Sequence, residues 1–564
     1  MIQTILRNGT IYTVEGAEWE NRPAEAMALT EEGIIAAVGA EDDVLKLREE
    51  QTVVLDLERN TVLPGLIDSH AHMPGKAFAE LFQINLFGVM DREPALVEIR
   101  TFIDRHPNYT SYFGMGFNMG MVDEEGKPPC AAWLDEICSD KPVQLSSYDM
   151  HSRWLNSKAL EVCNITKDTP DPAMGHIHRD EWGNPTGLLT DCQSIPLMQM
   201  SFTREQCVQA TTRFVKTMNA WGYTAINSIA PHQQTSPYIY QDVQANGDLT
   251  ARITTAQFIR HTKAAEDLET LQGMKKDLDS DLIKVTTAKY LIDGVVEGYT
   301  AYLKEPYDEA AGLGADYNSY PEWTVKELAE SFERVMNEGF SVHCHSIGDA
   351  ATSMVLDALE EANAISNGAT QGKGTYRNVI THLQLVDPSD ISRMAQLGVI
   401  AAIQPFWHFK EPGFFNTVEL IALGKDRAEK EYPAKSFVDA GILITASGDF
   451  PVSQENNPFY GIKAGVIRNL YNNEDFGKSI SDPDDERFLL GKEERLTVPQ
   501  MIEAYTINGA YQLFREDEIG SLIPGKKADY IVIDRDPLAI DVMDLDKIQL
   551  LQTVFNGKVV YDRT

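Results

Sequence analysis

Short apolar runs bounded by turn residues open the chain. One spans Ile5 to Val14 around Asn8-Gly9, a second spans Ala26 to Val38 and is broken at Glu31-Glu32-Gly33, and a third, Val53 to Leu57, leads into Val62-Leu63-Pro64-Gly65. Asn-Gly and Gly-centred breaks between alternating apolar positions predict hairpins. The same pattern returns at the other end. Asp529 to Asp534 follows Gly520 to Gly525, and Leu551 to Tyr561 encloses Asn556-Gly557. Two β-rich ends around a long middle predict one small β-sandwich domain built from both, over 1–62 and 511–564.

The middle changes period. Strand-length runs at Leu63–Asp68, Tyr223–Ser228, Ala251–Phe258, Leu282–Tyr290, Phe340–His345, Arg377–His382, Gly398–Gln404 and Gly441–Ser447 alternate with helical patterns. The clearest helix runs through Val325, Leu328, Ala329, Phe332, Val335 and Met336. Thr324 and Glu327 form a capping-box signature before it, and Gly339 closes it. Eight strands alternating with helices predict an α/β fold, a TIM-like (β/α)8 barrel over 63–510. About 150 residues separate the first two strands, far beyond an ordinary connection. An inserted subdomain is therefore expected over roughly 75–215.

Charge and cysteines narrow the function classes. The 564 residues carry 49 Lys+Arg against 85 Asp+Glu, a net of -36. Nucleic acid and anionic membranes both require a basic face, so neither is an expected partner. There is no apolar run of about 18 residues to span a bilayer. The first residues lack a signal-peptide pattern. The six cysteines form no CxxC pair, which suits a reduced, cytoplasmic enzyme.

The chemistry starts at Asp68-Ser69-His70-Ala71-His72. Histidines at i and i+2 of a strand point the same way and can reach one ion. In a barrel of this type the active site gathers at the C-terminal ends of the strands. His70 and His72 end the first predicted strand, Lys289 the fourth, His345 the fifth and His382 the sixth, and Asp449 follows the eighth. Unrelated core histidines would not all collect on one rim. Imidazoles with a carboxylate suit zinc, with iron, manganese or nickel as the other choices. Lys289 is either a carbamate, formed with CO2 and bridging ions, or an ammonium paired with Asp293. His343 shares the strand parity of His345 and is read as a supporting or core residue. His408 is a possible pocket residue, and His176 and His178 are read as surface residues.

The segment Leu63 to His72 resembles the first-strand signature of the amidohydrolase superfamily. Further segments narrow the resemblance to amidohydrolase family 3, the group of N-substituted formamide deformylase-like enzymes. They are Asp149-Met150-His151-Ser152, Asn156 to Leu160, Gly183 to Gly187, Lys289 to Gly294, His345 to Asp349, Gln404-Pro405 and Gly525 to Asp529. The resemblance implies a metal site at His70, His72, Lys289, His345, His382 and Asp449, with Lys289 as a carboxylated bridge. Three positions depart from the family pattern: Thr381 where it usually has Glu, Gly448 where it has Ser, and Met150 where it has Gly.

The expected activity is metal-dependent hydrolysis of a non-peptide C–N bond in an amide, formamide or cyclic amide. One or two zinc ions would activate water, with Asp449 as proton shuttle and His382 or His151 holding the oxyanion. Trp154, Tyr307, Phe406 and Trp407 are the expected substrate contacts, which suggests a small uncharged substrate with an apolar group. Arg153 would instead suit a carboxylate. A homodimer is expected. The open alternatives are an isomerase or lyase on the same barrel, an N-acyl amino-acid hydrolase, or a binding protein without activity.

Overall fold

The computed structural model describes residues 1–147, 152–171, 176–190, 192, 195–229, 236–365, 376–453, 455–472 and 476–563. The chain divides into two compact units, Met1–Gly75 with Thr212–Thr564, and Lys76–Thr211.

The first unit holds eight parallel strands, labelled here β1 (Leu66–Ala71), β2 (Tyr223–Ser228), β3 (Arg252–Phe258), β4 (Ile283–Leu291), β5 (Ser341–Ser346), β6 (Val379–His382), β7 (Ile400–Ile403) and β8 (Ile444–Ala446). They pair in chain order, each parallel to the next. The first and last strands approach each other: the Ser69 hydroxyl donates to the Ala446 carbonyl at 2.9 Å. The result is a nearly closed TIM-like barrel. Strands covered on both faces read as continuous apolar runs, and β1, β6, β7 and β8 are buried at every position.

The helix expected between the fourth and fifth strands runs Val325–Asn337, and both halves of its Thr324/Glu327 capping box form. Its buried face is Leu328, Ala329, Phe332, Val335 and Met336. The first barrel strand begins later than its apolar run suggests. The run is cut at Gly65. Thr61–Pro64 pairs antiparallel with Tyr530–Ile533, and only Leu66 onward enters the barrel. Gly65 donates its N–H to the Asp529 carbonyl at 2.8 Å. A Cβ there would stand 2.2 Å from Thr224 Oγ1, so the crossing tolerates no side chain without displacement of Thr224.

Both chain ends supply two small sheets. One has four strands, from Ile2–Arg7, Ala26–Thr30, Ile35–Gly39 and Val53–Asp56. The other has five, including Thr61–Pro64, Tyr530–Ile533, Leu550–Phe555 and Lys558–Asp562. Leu6, Met27 and Ile35 of the first share an apolar cluster with Val62, Tyr530, Val532 and Val554 of the second. The turn at Asn556-Gly557 joins a true hairpin, with positive φ at both residues, as a tight hairpin turn requires. Asn8-Gly9 does not. The strands on either side of it enter different sheets, Ile2–Arg7 pairing with Ala26–Thr30 and Thr10–Ile11 with Thr61–Val62.

Lys76–Thr211 is built on a six-stranded sheet. Its core includes Tyr112, Phe117, Trp133, Leu145 and Trp154.

A buried ion pair ties β3 to the C-terminal segment. Arg252, with no exposure, donates to the Asp529 carboxylate and the Asn556 side chain, over the ring of Phe555. Removing one partner of such a pair strands a buried charge, at a cost of about 3–5 kcal/mol. Arg252→Ala is therefore expected to lower the unfolding free energy of the first unit by that amount, read from a denaturant titration. Unchanged unfolding of the variant would show that the pair contributes nothing.

Candidate metal centre

Alternation along the strands aims the chemistry inward. His70 lies on β1 and His72 one residue past its end, so the two share a face. His343 and His345 share a face of β5 in the same way. Lys289 on β4 stands in register with His343. His382 ends β6 and Asp449 follows β8, and both adopt left-handed backbone, with φ 77° and 54°. Such conformations cost a non-glycine residue roughly 1–2 kcal/mol and gather where geometry serves a site.

His70 Nε2 and His72 Nε2 lie 3.4 and 3.0 Å from Asp449 Oδ1. Among the described residues these three form the one grouping with metal-ligand spacing. The ring of His382 is 5.2 Å from that of His70, and His345 is 4.4 Å beyond His382. The strand ends thus bring His70, His72, His345, His382 and Asp449 into one cluster.

Each ring is held from behind. His70 Nδ1 shares a proton with His343 Nε2 at 3.0 Å. Gln404 donates its amide N–H groups to Thr381 Oγ1 and Ser447 Oγ, which orients its carbonyl to accept from His382 Nδ1 at 2.9 Å. His345 Nε2 donates to the Gly294 carbonyl at 3.0 Å. These bonds leave lone pairs on His382 Nε2 and His345 Nδ1, and on His70 Nε2 where Nδ1 carries the shared proton. His70 Nε2 and Asp449 Oδ1 are buried with no hydrogen-bond partner. Buried acceptors without a donor are costly unless a cation completes them, so the donor set fits a divalent ion.

Electrostatics agree. Burial, and then the nearby Lys289, hold His70 and His343 well below the usual imidazole range and His345 down to about 3. Burial, then His345 and Lys289, does the same to His382. The rings are neutral, as metal ligands must be. Burial brings Lys289 down to about 8, against the opposing pull of Asp449. Lys289 Nζ has no hydrogen-bond or ion-pair partner among the described residues. The pairing with Asp293 does not form: that carboxylate accepts from the N–H groups of Tyr302, Ile347 and Gly348 instead.

The other expected site residues divide. Trp407 lies along the ring of His382, 5.4 Å away, and donates to Ser453 Oγ. Tyr307 is buried in an apolar cluster and donates to the Ala301 carbonyl. Phe406 is buried against Tyr471. Trp154 sits in the core of its own unit against Phe117 and Trp133, fully buried, with its indole N–H on the Cys130 carbonyl. An aromatic in an insertion reads the same in sequence whether it packs or binds. His151 lies outside the described residues.

Two supporting residues carried no assigned role in the sequence. Gln404 stood only within a Gln-Pro motif. Asn456 donates to the buried carboxylate of Asp68, which accepts the His70 N–H. Nothing in the local sequence around Asn456 points to it.

The amidohydrolase family model matches residues 53–561. The chain belongs to the amidohydrolase family. YtcJ of Bacillus subtilis (strain 168) is 28% identical over the full length of both chains. N-substituted formamide deformylase of Arthrobacter pascens is 26% identical over 100% of this chain and 99% of its own. In structure, an uncharacterized metal-dependent hydrolase from Pyrococcus furiosus aligns with a TM-score of 0.70 at 22% identity, covering 95% of this chain and 99% of the other.

Partners that orient ligating histidines typically hold about 10–100-fold of metal affinity. Gln404→Leu is expected to lose that much zinc affinity in competition with a chromogenic chelator. Affinity equal to wild type would show that His382 needs no orienting partner or is not a ligand.

Proposed function

We propose that this amidohydrolase cleaves an amide, formamide or cyclic amide of a small molecule at a zinc centre held by His70, His72, His345, His382 and Asp449, with Lys289 as a carboxylated bridging ligand. One observation carries the reading: buried, partnerless donor atoms of His70 and Asp449 meet His72 at metal-ligand spacing. Zinc bound there would supply a nucleophilic water at neutral pH and polarise the substrate carbonyl.

The protein's own groups do the rest. Asp449 takes the proton of the attacking water and returns it to the departing nitrogen, first as base and then as acid. His382 holds its proton on Nδ1, toward Gln404, so its Nε2 is an acceptor and suits a ligand rather than an oxyanion donor. That leaves His151 for the oxyanion. For Lys289, the amine lone pair attacks CO2, an N–C bond forms, and one proton leaves to solvent. Its burial and lowered pKa favour the neutral amine that this step needs.

No helix among the described residues is long and apolar enough to cross a membrane. A cytoplasmic site of action and a homodimer belong to the same proposal. The relative in Arthrobacter pascens, an N-substituted formamide deformylase, supports formamides as the first substrates to screen.

Asp449→Asn is expected to lower kcat by about 10²–10⁴-fold on whichever amide the wild type turns over. A kcat near wild type would assign the proton shuttle to another group. Protein loaded with zinc in ¹³C-bicarbonate is expected to show a carbamate carbon resonance that Lys289→Ala lacks. Identical spectra would remove the bridge.

A further inference from the structure

The unit Lys76–Thr211 carries a pair of histidines that the hydrolytic site does not use. His176 and His178 stand two residues apart on the strand His176–Arg179, at one edge of the six-stranded sheet. Alternate residues of a strand share a face, and the two rings meet edge to face with their centres 4.8 Å apart. The His176 side chain is 61% exposed, so an ion can reach the pair from solvent.

Both rings are anchored. His176 Nδ1 donates to Asp171 Oδ2 at 2.8 Å. That carboxylate is fixed in turn: its Oδ1 accepts the Ile177 N–H at 3.2 Å and faces the Arg179 guanidinium at 3.6 Å. Arg179 is itself held by the carbonyls of Thr166, Lys167, Thr169 and Gly183. On the other ring, His178 Nε2 meets Thr190 Oγ1 at 3.1 Å. Thr190 lies on the neighbouring strand Pro185–Thr190 and also accepts from Ser152 Oγ, at 3.3 Å, on the strand beyond. In the tautomers that donate to Asp171 and Thr190, His176 Nε2 and His178 Nδ1 keep their lone pairs. Neither of these nitrogens has a hydrogen-bond partner among the described residues.

Ligating histidines are built this way. One nitrogen donates to a protein oxygen, which fixes the ring and raises the basicity of the other nitrogen. A carboxylate does this for His176 and a hydroxyl for His178. An ion about 2.0–2.1 Å from each nitrogen needs the two nitrogens within about 4 Å of each other, which ring centres 4.8 Å apart permit. Mg2+ and Ca2+ take oxygen ligands, whereas imidazoles select late transition ions. Cu2+ stands highest in that series and takes a square-planar set, which two imidazoles and two waters complete. The pair offers two ligands against the three grouped at His70, His72 and Asp449, so its ion exchanges more readily. The net charge of -36 draws cations at long range.

We infer that His176 and His178 form a second metal site, a two-imidazole chelate for Cu2+, with Asp171 and Thr190 positioning the rings. Read from the sequence as surface residues, the two histidines are side chains set by the sheet. The site uses no residue of the zinc centre and stands independently of the hydrolase reading.

The test titrates the full-length, zinc-loaded protein, freed of loosely held zinc, with Cu2+ and follows it by electron paramagnetic resonance. Wild type is expected to bind one copper per chain with a spectrum split by two imidazole nitrogens. His176→Ala and His178→Ala should each lose that two-nitrogen signal, while zinc per chain and the unfolding midpoint stay at wild-type values. Asp171→Ala keeps both ligands and should bind copper about 10–100-fold more weakly, the usual worth of a partner that orients a ligating histidine. No two-nitrogen signal in wild type, or one that survives either histidine substitution, would overturn the site. Unchanged copper affinity in Asp171→Ala would overturn the positioning role given to that carboxylate.

Discussion

Taking four imidazoles, an amine and a carboxylate out of water at one place is the constraint around which the barrel is arranged. Each buried polar group must be completed. Backbone carbonyls and amides complete the outer sides, as Gly294 does for His345 and Gln404 for His382. The inner sides, His70 Nε2 and Asp449 Oδ1 above all, are left for a cation. The same burial keeps the imidazoles neutral, so the fold prepares the ligands before any metal arrives.

The supporting residues come from strands far apart in sequence. His70 is braced by His343 of β5 and, through its backbone, by Asp68, which Asn456 holds in turn. His382 depends on Gln404, itself held by Thr381 and Ser447. A substitution in any of these shifts a ligand without touching it.

Much of this was legible in the sequence because each strand carries its own signal. β2 falls on the residues its apolar run marks, and the other barrel strands lie within a few residues of theirs. The ligand positions could be read because barrel topology sends every strand end to one rim. The failures share a cause. Whether Thr61 to Ala71 is one strand or two depends on a close approach of Thr224 to Gly65, which local pattern does not contain. Asn8-Gly9 has hairpin chemistry, but its flanking strands find better partners elsewhere. Gln404 and Asn456 act only through residues distant in the chain. Trp154 shows that aromatic character alone does not separate a core from a pocket wall.

The proposed metal ligands are spread from His70 on β1 to Asp449 after β8. The ring of strands must come together before His70, His72 and Asp449 can meet, so no fragment short of that closure assembles the set. Bound metal is therefore a sign of barrel closure, because a chain whose first and last strands have not met cannot present the whole set.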